Sequence, residues 1–329
     1  MLWLPPVAFL LDLFLADPRS LPHPVQGIAL LADKLEQPAR AMRNQSLAGA
    51  LVLVVLLLIS GSIAAVLVRL PSFAGTVAAL YLAWSGLALG SLLREGGTAL
   101  ALVARAGASR TRGEEDPGYA QALAQAREAV GMLVSRDTGD MDPDGLCRSL
   151  AESVSENFND AFAAPFFWLC LTGPVGLWLY KTASTMDSLW GYKNERWLRL
   201  GKASARLDDV LAYIPARISV LLMFVTARLA GRTKEGWRDF FGKVRQQARL
   251  CDSPNAGWPM AAAAWLFNGG SGGPTPYDGR MVDKPRLGPE QGRWTPANTA
   301  ALLSHVRRAG ILGGALGTGL VLFFSGMRL

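Results

Sequence analysis

Between residues 152 and 160 the chain reads Glu152-Ser153-Val154-Ser155-Glu156-Asn157-Phe158-Asn159-Asp160. Residues four apart share a helix face, so Glu152, Glu156 and Asp160 form one acidic stripe, with Ser153 and Asn157 beside it. Like charges at that spacing repel and disfavour a helix unless a cation or a basic partner neutralises them. Mg²⁺, which takes oxygen ligands, meets that need. An acidic helix start favoured by the helix dipole and open to solvent meets it as well.

A second group is Met186-Asp187-Ser188-Leu189-Trp190-Gly191-Tyr192-Lys193-Asn194-Glu195-Arg196, followed by Ala205-Arg206-Leu207-Asp208-Asp209. Lys193, Arg196 or Arg206 suits phosphate, Asp187 and the Asp208-Asp209 pair suit a metal, and Trp190 or Tyr192 suits the face of a flat ligand. A membrane-interface belt accounts for the aromatic and basic residues, but not for Asp187 or Asn194. A third group, Cys251-Asp252-Ser253-Pro254-Asn255-Ala256-Gly257-Trp258-Pro259, opens an alanine run. Ser253 and Asn255 are turn and cap residues, and the exposed amides of such a helix start suit an anion. Two smaller signals, Asp17-Pro18-Arg19 with Leu21-Pro22-His23-Pro24-Val25 and Ser135-Arg136-Asp137-Thr138, read alone as loop features. No Walker A loop is present, since Lys181-Thr182 follows Tyr180, and two histidines without a nucleophile elbow do not make a Ser-His-Asp hydrolase. Cys147, Cys170 and Cys251 stand far apart, so neither zinc nor disulfides are indicated.

The elements that must position these groups are membrane helices. Half of the 329 residues are apolar, and the mean hydropathy is positive. Residues 47–68 form an uninterrupted charge-free run of the length a hydrocarbon core requires; 73–93 is a second such run and 309–324 a third. Three weaker stretches have defects: 1–16 carries Asp12 and Pro5-Pro6, 161–180 is broken by Pro165 and Gly173-Pro174, and 210–230 contains Arg217 and Arg228. The first is read as a short membrane helix rather than a signal peptide, because its start lacks basic charge and a cleavage site. The second reads as kinked or re-entrant. The expected fold is all-α, a polytopic membrane protein of four to six segments forming one embedded catalytic domain over 1–329. It has a polar helical insert at 94–160 and a long Gly/Pro-rich loop at 268–294. The net charge of +7 is spread through the connections, which argues against nucleic acid as a partner. It fits cytoplasmic loops under the positive-inside rule, with four Lys/Arg in 17–46 and seven in 94–160.

Taken in order, five groups resemble one family, the adenosylcobinamide-phosphate synthases of cobalamin biosynthesis (CbiB or CobD). They are Leu11-Asp12 through Asp17-Pro18 with His23-Pro24-Val25, Ser135 to Thr138, Glu152-Ser153 with Glu156-Asn157 and Asp160, Met186-Asp187-Ser188 with Gly191-Tyr192, and Ser253 to Pro259. The resemblance covers residues 11 to about 264. It implies an integral membrane enzyme of the cell membrane that uses ATP and Mg²⁺. The reaction is amide formation between a carboxylate of adenosylcobyric acid and the amine of (R)-1-amino-2-propanol or its O-phosphate. Glu152, Glu156, Asp160 and Asp187 are then metal or acid/base groups, joined by Asp208 and Asp209 on the metal and by Lys193 as a catalytic cation. Arg136 and Arg217 become phosphate or carboxylate contacts, and Asp137, Ser153, Asn157, Trp190, Tyr192, Asn194, Ser253 and Asn255 line the substrate. Because Lys181 to Asp209 would otherwise fall on the far side of the membrane, 161–180 is expected to return so that the groups meet on the cytoplasmic side. A homo-oligomer and other cobalamin-pathway enzymes are the further partners such a protein admits. An AmpE-like membrane sensor without ligase activity shares parts of the pattern, and a transporter predicts inverted repeats that are absent from the sequence.

Overall fold

In the computed structural model the described residues are 2–17, 23–111, 117–277 and 279–326. Pro18, Arg19, Leu21 and Pro22 of the first small motif therefore lie outside the described residues. The elements in chain order are α1 (Leu4–Leu15), α2 (Pro24–Ala41), α3 (Gln45–Val68), α4 (Ser72–Ser85), α5 (Leu89–Arg110), α6 (Pro117–Gly131), α7 (Pro143–Phe158), a π-helical turn (Asn159–Ala163), α8 (Ala164–Trp190), α9 (Lys202–Leu211), α10 (Tyr213–Leu229), α11 (Trp237–Ala248), α12 (Gly257–Phe267), β1 (Ser271–Tyr277), β2 (Arg280–Leu287) and α13 (Pro296–Gly326). Four helical stretches among the described residues are long and apolar enough to cross a membrane, and a fifth arises if the bent pair α9–α10 counts as one. The chain divides into two compact units: Met1–Gly90 with Asp160–Pro215 and Gly313–Leu329, and Ser91–Asn159 with Ala216–Leu312.

In the first unit α3 is the central rod. Ala48, Val52, Leu53 and Leu56 pack against Ala32 and Ala39 of α2, Met186 and Trp190 of α8, and Leu200. Gly49 permits this approach, since a Cβ there would run into the carbonyl of Leu200. The acid in the apolar helix α1 has a structural use: Asp12 Oδ2 accepts from Leu89 N at 3.0 Å and Oδ1 from Gly90 N at 3.3 Å. It thereby satisfies amides that the first turn of α5 leaves without helical partners.

A polar knot fastens α2 to the segment after α8. Glu36 accepts from Arg40 at 2.7 Å and from Nε and Nη2 of Arg196, and both guanidiniums lie 4.7 Å from the centre of the Trp197 ring. Burial works to raise the Glu36 pKa, but the hydrogen bonds from Arg40 and Arg196 outweigh it and hold the carboxyl below its ordinary value of 4.5. A depressed folded-state pKa contributes stability that is present above the unfolded value and lost as pH falls through the folded one. The thermal stability gap between the wild type and Glu36→Gln should accordingly be open at neutral pH and close below about pH 4.5.

α8 breaks where the sequence suggested. Gly173 has φ +72° and ψ −166°, a conformation open essentially to glycine alone, and Pro174 restarts the helix. Asp160 and Asp187 are 27 residues apart, which in a straight helix is about 40 Å. Yet the two carboxylates sense each other, and Lys181 also senses Asp160. The chain therefore folds back at Gly173, and neither leg of α8 reaches the roughly 30 Å of a hydrocarbon core at 1.5 Å per residue. The legs are pinned by Trp168 Nε1 donating to Leu211 O at 3.2 Å, Trp178 Nε1 to Leu82 O at 2.8 Å, and Thr182 Oγ1 to Ser60 Oγ at 2.7 Å. Gly173→Ala is expected to cost about 1–3 kcal/mol through backbone strain, read as a lower melting temperature in detergent.

The second unit corrects two expectations. Residues 268–294 are not a loop throughout but carry an antiparallel hairpin, β1 on β2, with a register shift between Ser271 and Gly273. Its strand signal is masked by Gly272 and Gly273, which take φ near +80° at the bulge, and by Pro274 and Pro276. A two-stranded sheet leaves each strand one open edge, where a proline without an N–H does no harm. The all-α expectation therefore holds except for this ribbon. Residues 94–160 hold most of α5, then α6 and α7.

Candidate functional site

In the first unit the fold-back of α8 gathers a charged group that no single stretch of sequence contains. Asp160 enters on the π turn, Lys181 and Asp187 on the second leg of α8, and Asp208 and Asp209 on α9. Asp208 lies within electrostatic reach of Asp160, Asp187, Asp209 and the Lys181 ammonium, and Lys181 in turn within reach of Asp160, Asp17 and Asp208. Lys193 and Arg206 act on Asp209. Gly191 makes room for Asp187: its N–H donates to the Asp187 carbonyl at 2.6 Å, and a Cβ in its place would collide with Asp187 Oδ1. Asp208 Oδ1 is closed off from solvent and has no hydrogen-bond partner among the described residues. When ionised, a carboxylate oxygen in that position calls for a cation or a donor.

No three His, Cys, Asp or Glu side chains among the described residues converge closely enough to form a metal cage by themselves. The donor set still fits Mg²⁺, which keeps several waters and takes one or two carboxylates plus substrate phosphates rather than a closed protein shell. Asp208, with Asp160 or Asp187, supplies that number. His23 Nε2 stands 3.8 Å from Asp17, and its ring is 6.3 Å from that of Trp178.

The second unit uses its motif residues differently. The acidic stripe does not act as one group: Glu152 and Glu156 belong to α7, whereas Asp160 lies past the point where the helix changes to π geometry and the chain enters the other unit. Both Glu152 oxygens are engaged, Oε2 by the Arg136 guanidinium and Oε1 by Gly272 N at 2.7 Å. Arg148 reaches the carbonyls of Gly272 and Pro274 at 2.9 and 3.2 Å. Asp137 closes the other end, its N–H donating to Pro276 O at 3.1 Å and its Oδ2 accepting from Gly279 N at 2.8 Å. Ser153 Oγ donates to Leu133 O at 2.6 Å, and Asn157 Nδ2 bonds back to Ser153 O at 3.0 Å. Arg136, Asp137 and Glu152, expected at a ligand, thus clamp the hairpin to α7.

Burial opposes the charge on Arg136, but Glu152 and neighbouring anions outweigh it and hold its pKa above the ordinary value. Lys284 Nζ lies 5.1 Å from the centre of the Tyr277 ring, and the pKa of the Tyr277 hydroxyl is raised by burial, against the pull of Arg136 and with the push of Glu152 and Glu156. Burial and Glu156 likewise push the Cys251 thiol up to about 11, so it is protonated at neutral pH and is no nucleophile.

The third motif is a helix start held from outside. Ser253 Oγ accepts from Asn255 N at 3.2 Å and Ala256 N at 3.3 Å. Arg217 donates to Asn255 Oδ1 at 2.7 Å and Pro254 O at 3.1 Å, and lies 4.4 Å from the centre of the Trp258 ring. The charge in the semi-apolar helix thus finds its partners within the protein, as a membrane segment requires. Trp190 is 3% exposed and stacked on Trp197 at 5.5 Å, within the core of the first unit. Tyr192, Lys193 and Asn194 are exposed, and Asn194 Oδ1 caps the turn at Trp197 N at 3.1 Å.

Residues 6–306 match the family model described as CobD/Cbib protein. The chain belongs to the CobD/Cbib family. It is similar to the cobalamin biosynthesis protein CobD of Pelobacter propionicus, 41% identical over 288 residues that make up 86% of this chain and 83% of the relative. It also resembles the CobD of Chromobacterium violaceum, 38% identical over 86% of this chain and 85% of the relative, and the cobalamin biosynthesis protein CbiB of Salmonella arizonae, 33% identical over 87% and 86%. No solved structure matches.

In this CobD/Cbib chain Lys181, Asp17 and His23 stand outside the residues that the sequence pattern marks as a site, although Asp17 lies within electrostatic reach of Lys181. In the sequence Lys181 stands out only beside Thr182, without the glycines of a phosphate loop, and its surroundings depend on the return of α8. Asp17 and His23 were visible as part of the first motif, but nothing in their spacing tied them to a lysine more than 150 positions away. Tyr277 and Lys284 lie in the Gly/Pro-rich run, where no strand periodicity drew attention to them.

Proposed function

We propose that this protein acts in cobalamin biosynthesis as an adenosylcobinamide-phosphate synthase, joining adenosylcobyric acid to (R)-1-amino-2-propanol or its O-phosphate at the expense of ATP. The observation that carries the reading is the Asp208 group: a closed-off carboxylate oxygen without a hydrogen-bond partner among the described residues, within electrostatic reach of Asp160, Asp187, Asp209 and the Lys181 ammonium. The relatives named for cobalamin biosynthesis support it across most of the chain.

A carboxylate is a poor acyl donor. Transfer of the ATP γ-phosphoryl to the corrinoid carboxylate releases ADP; the amine nitrogen then attacks the acyl carbon, phosphate leaves and the nitrogen gives up a proton. Such chemistry asks mainly for positioning and charge. Mg²⁺ held by Asp208 with Asp160 or Asp187 would neutralise phosphate charge when bound. Lys181 keeps the carboxylates from forcing one another apart, and Lys193 and Arg206, on the Asp209 side, are placed to hold phosphate oxygens. Glu152 and Arg136 are assigned to the hairpin clamp.

The protein is placed in the cell membrane with this group facing the cytoplasm, where ATP is found. In a cysteine-free background, single cysteines at Ala161 and Ser188, at the two ends of the folded-back α8, are expected to react with an impermeant reagent from the same face; labelling from opposite faces would sink the fold-back. The activity is tested with protein purified in detergent, adenosylcobyric acid, the aminopropanol phosphate, Mg²⁺ and ATP, following nucleotide hydrolysis and corrinoid product together. Product that requires both ATP and the amine supports the synthase, whereas corrinoid binding without turnover leaves a sensor or accessory protein.

A further inference from the structure

Directly after α10 the chain becomes strongly basic: residues 228–250 contain seven Lys/Arg against two Asp/Glu. Several of these cations are already engaged within the protein. Arg228 donates to Thr233 O at 3.2 Å, Arg232 stands 4.4 Å from the centre of the Phe267 ring, and Lys243 pairs with Glu235 at 2.6 Å. Arg238, Arg245 and Arg249 are different. All three are exposed, and their side chains make no hydrogen bond or ion pair with any described residue. Their spacing of seven and eleven positions puts them within an arc of about 40° on α11 at 3.6 residues per turn. Gly242 falls on the same stripe with open space above it, leaving room for a group to settle between the arginines.

The opposite side of α11 fixes where this stripe lies. Phe240, Val244 and Ala248 are buried. Phe240 lies tilted against Phe224 of α10 at 5.1 Å, Trp237 meets the same ring edge-on at 5.2 Å, and Phe241 lies tilted against Trp258 at 5.1 Å. α10 is the second half of the bent pair apolar enough to cross a membrane, and Phe224 is within its last two turns. α11 is therefore docked on the end of an apolar helix, at the depth where aromatic rings and arginines gather at a bilayer surface. Leu229 before it and Leu250 after it are 77% and 59% exposed, an apolar rim at both ends of a basic stripe.

We propose that α11 is an interfacial helix whose Arg238, Arg245 and Arg249 bind the phosphates of anionic phospholipid headgroups in the membrane that α10 enters. Guanidiniums match phosphate oxygens through paired N–H donors, and each cation near an anionic leaflet adds to the attraction. A soluble acidic protein would satisfy the charge, but would have no use for the flanking leucines or for the docking on α10. The full chain in nonionic detergent is tested by fluorescence anisotropy against a labelled phosphatidylglycerol and the phosphatidylcholine of the same chains. The wild type should prefer the anionic lipid by about 100-fold at low salt, and Arg238→Glu/Arg245→Glu/Arg249→Glu should reduce the preference below about threefold. The corresponding triple lysine variant should retain most of it, which separates charge from misfolding. Equal binding of the two lipids by the wild type, or a preference that survives triple charge reversal, overturns the proposal; in either case an acidic protein becomes the partner to seek.

Discussion

Asp208→Asn is expected to lower the rate of corrinoid product formation by about 10²–10³, the range seen when one preorganised electrostatic group is removed from a polar active site. The substitution keeps the shape of the side chain and deletes its charge, so the fold should survive. The loss should appear together with a raised Mg²⁺ requirement, since the closed-off Oδ1 is the atom without a partner among the described residues. Asp187→Asn should act in the same direction, because Asp187 acts on Asp208 and is itself acted on by Asp209 and Asp160. Rapid-quench measurement of product across a Mg²⁺ titration checks both. A variant at Asp208 with unchanged rate and unchanged Mg²⁺ dependence would remove this group from the chemistry, and attention would move to Glu156, whose surroundings include Arg136, Tyr277 and Cys251.

Arg136→Ala is the second substitution with a large expected effect, and it acts on stability. The Arg136 and Glu152 side chains are 10% and 5% exposed, so removing the cation leaves a buried carboxylate with only the Gly272 amide and costs about 3–5 kcal/mol. The damage should concentrate in the hairpin, since Glu152 holds Gly272 N and Arg148 holds the carbonyls of Gly272 and Pro274. Hydrogen exchange should accelerate first at Gly272 and along β1, ahead of α3. Replacing both partners by methionine should restore most of the lost melting temperature, because no unpaired charge then remains. If the single and double variants melt alike, the clamp is not what anchors the ribbon.

How much of this could be read from the chain alone depends on the distance over which each signal acts. Residues 47–68 announce α3 because a charge-free run of that length has few other fates, and Gly173-Pro174 announces the break in α8 because glycine permits and proline enforces it. The ordered motifs identify the family, and the matched family over residues 6–306 agrees with them. The hairpin was not legible, since glycines at positive φ and two prolines hide the alternation that betrays a strand.

The site was legible as residue types and not as partners. Asp160, Asp187, Asp208 and Asp209 were each recognisable as acids in polar motifs, but the regular spacing of Glu152, Glu156 and Asp160 suggested one stripe. That reading assumed an unbroken α-helix, and a π turn at Asn159–Ala163 intervenes. Composition and local pattern determined the membrane-type helices, the family and the inventory of charged groups, because those depend on transfer free energies and on neighbours within a turn or two. Only the tertiary structure decided that Lys181 and Asp208 join Asp160, while Glu152 turns to Arg136 and the Gly272 amide. Charges choose partners by proximity in space, and that proximity is set by where α8 reverses and by how the ribbon lies on α7.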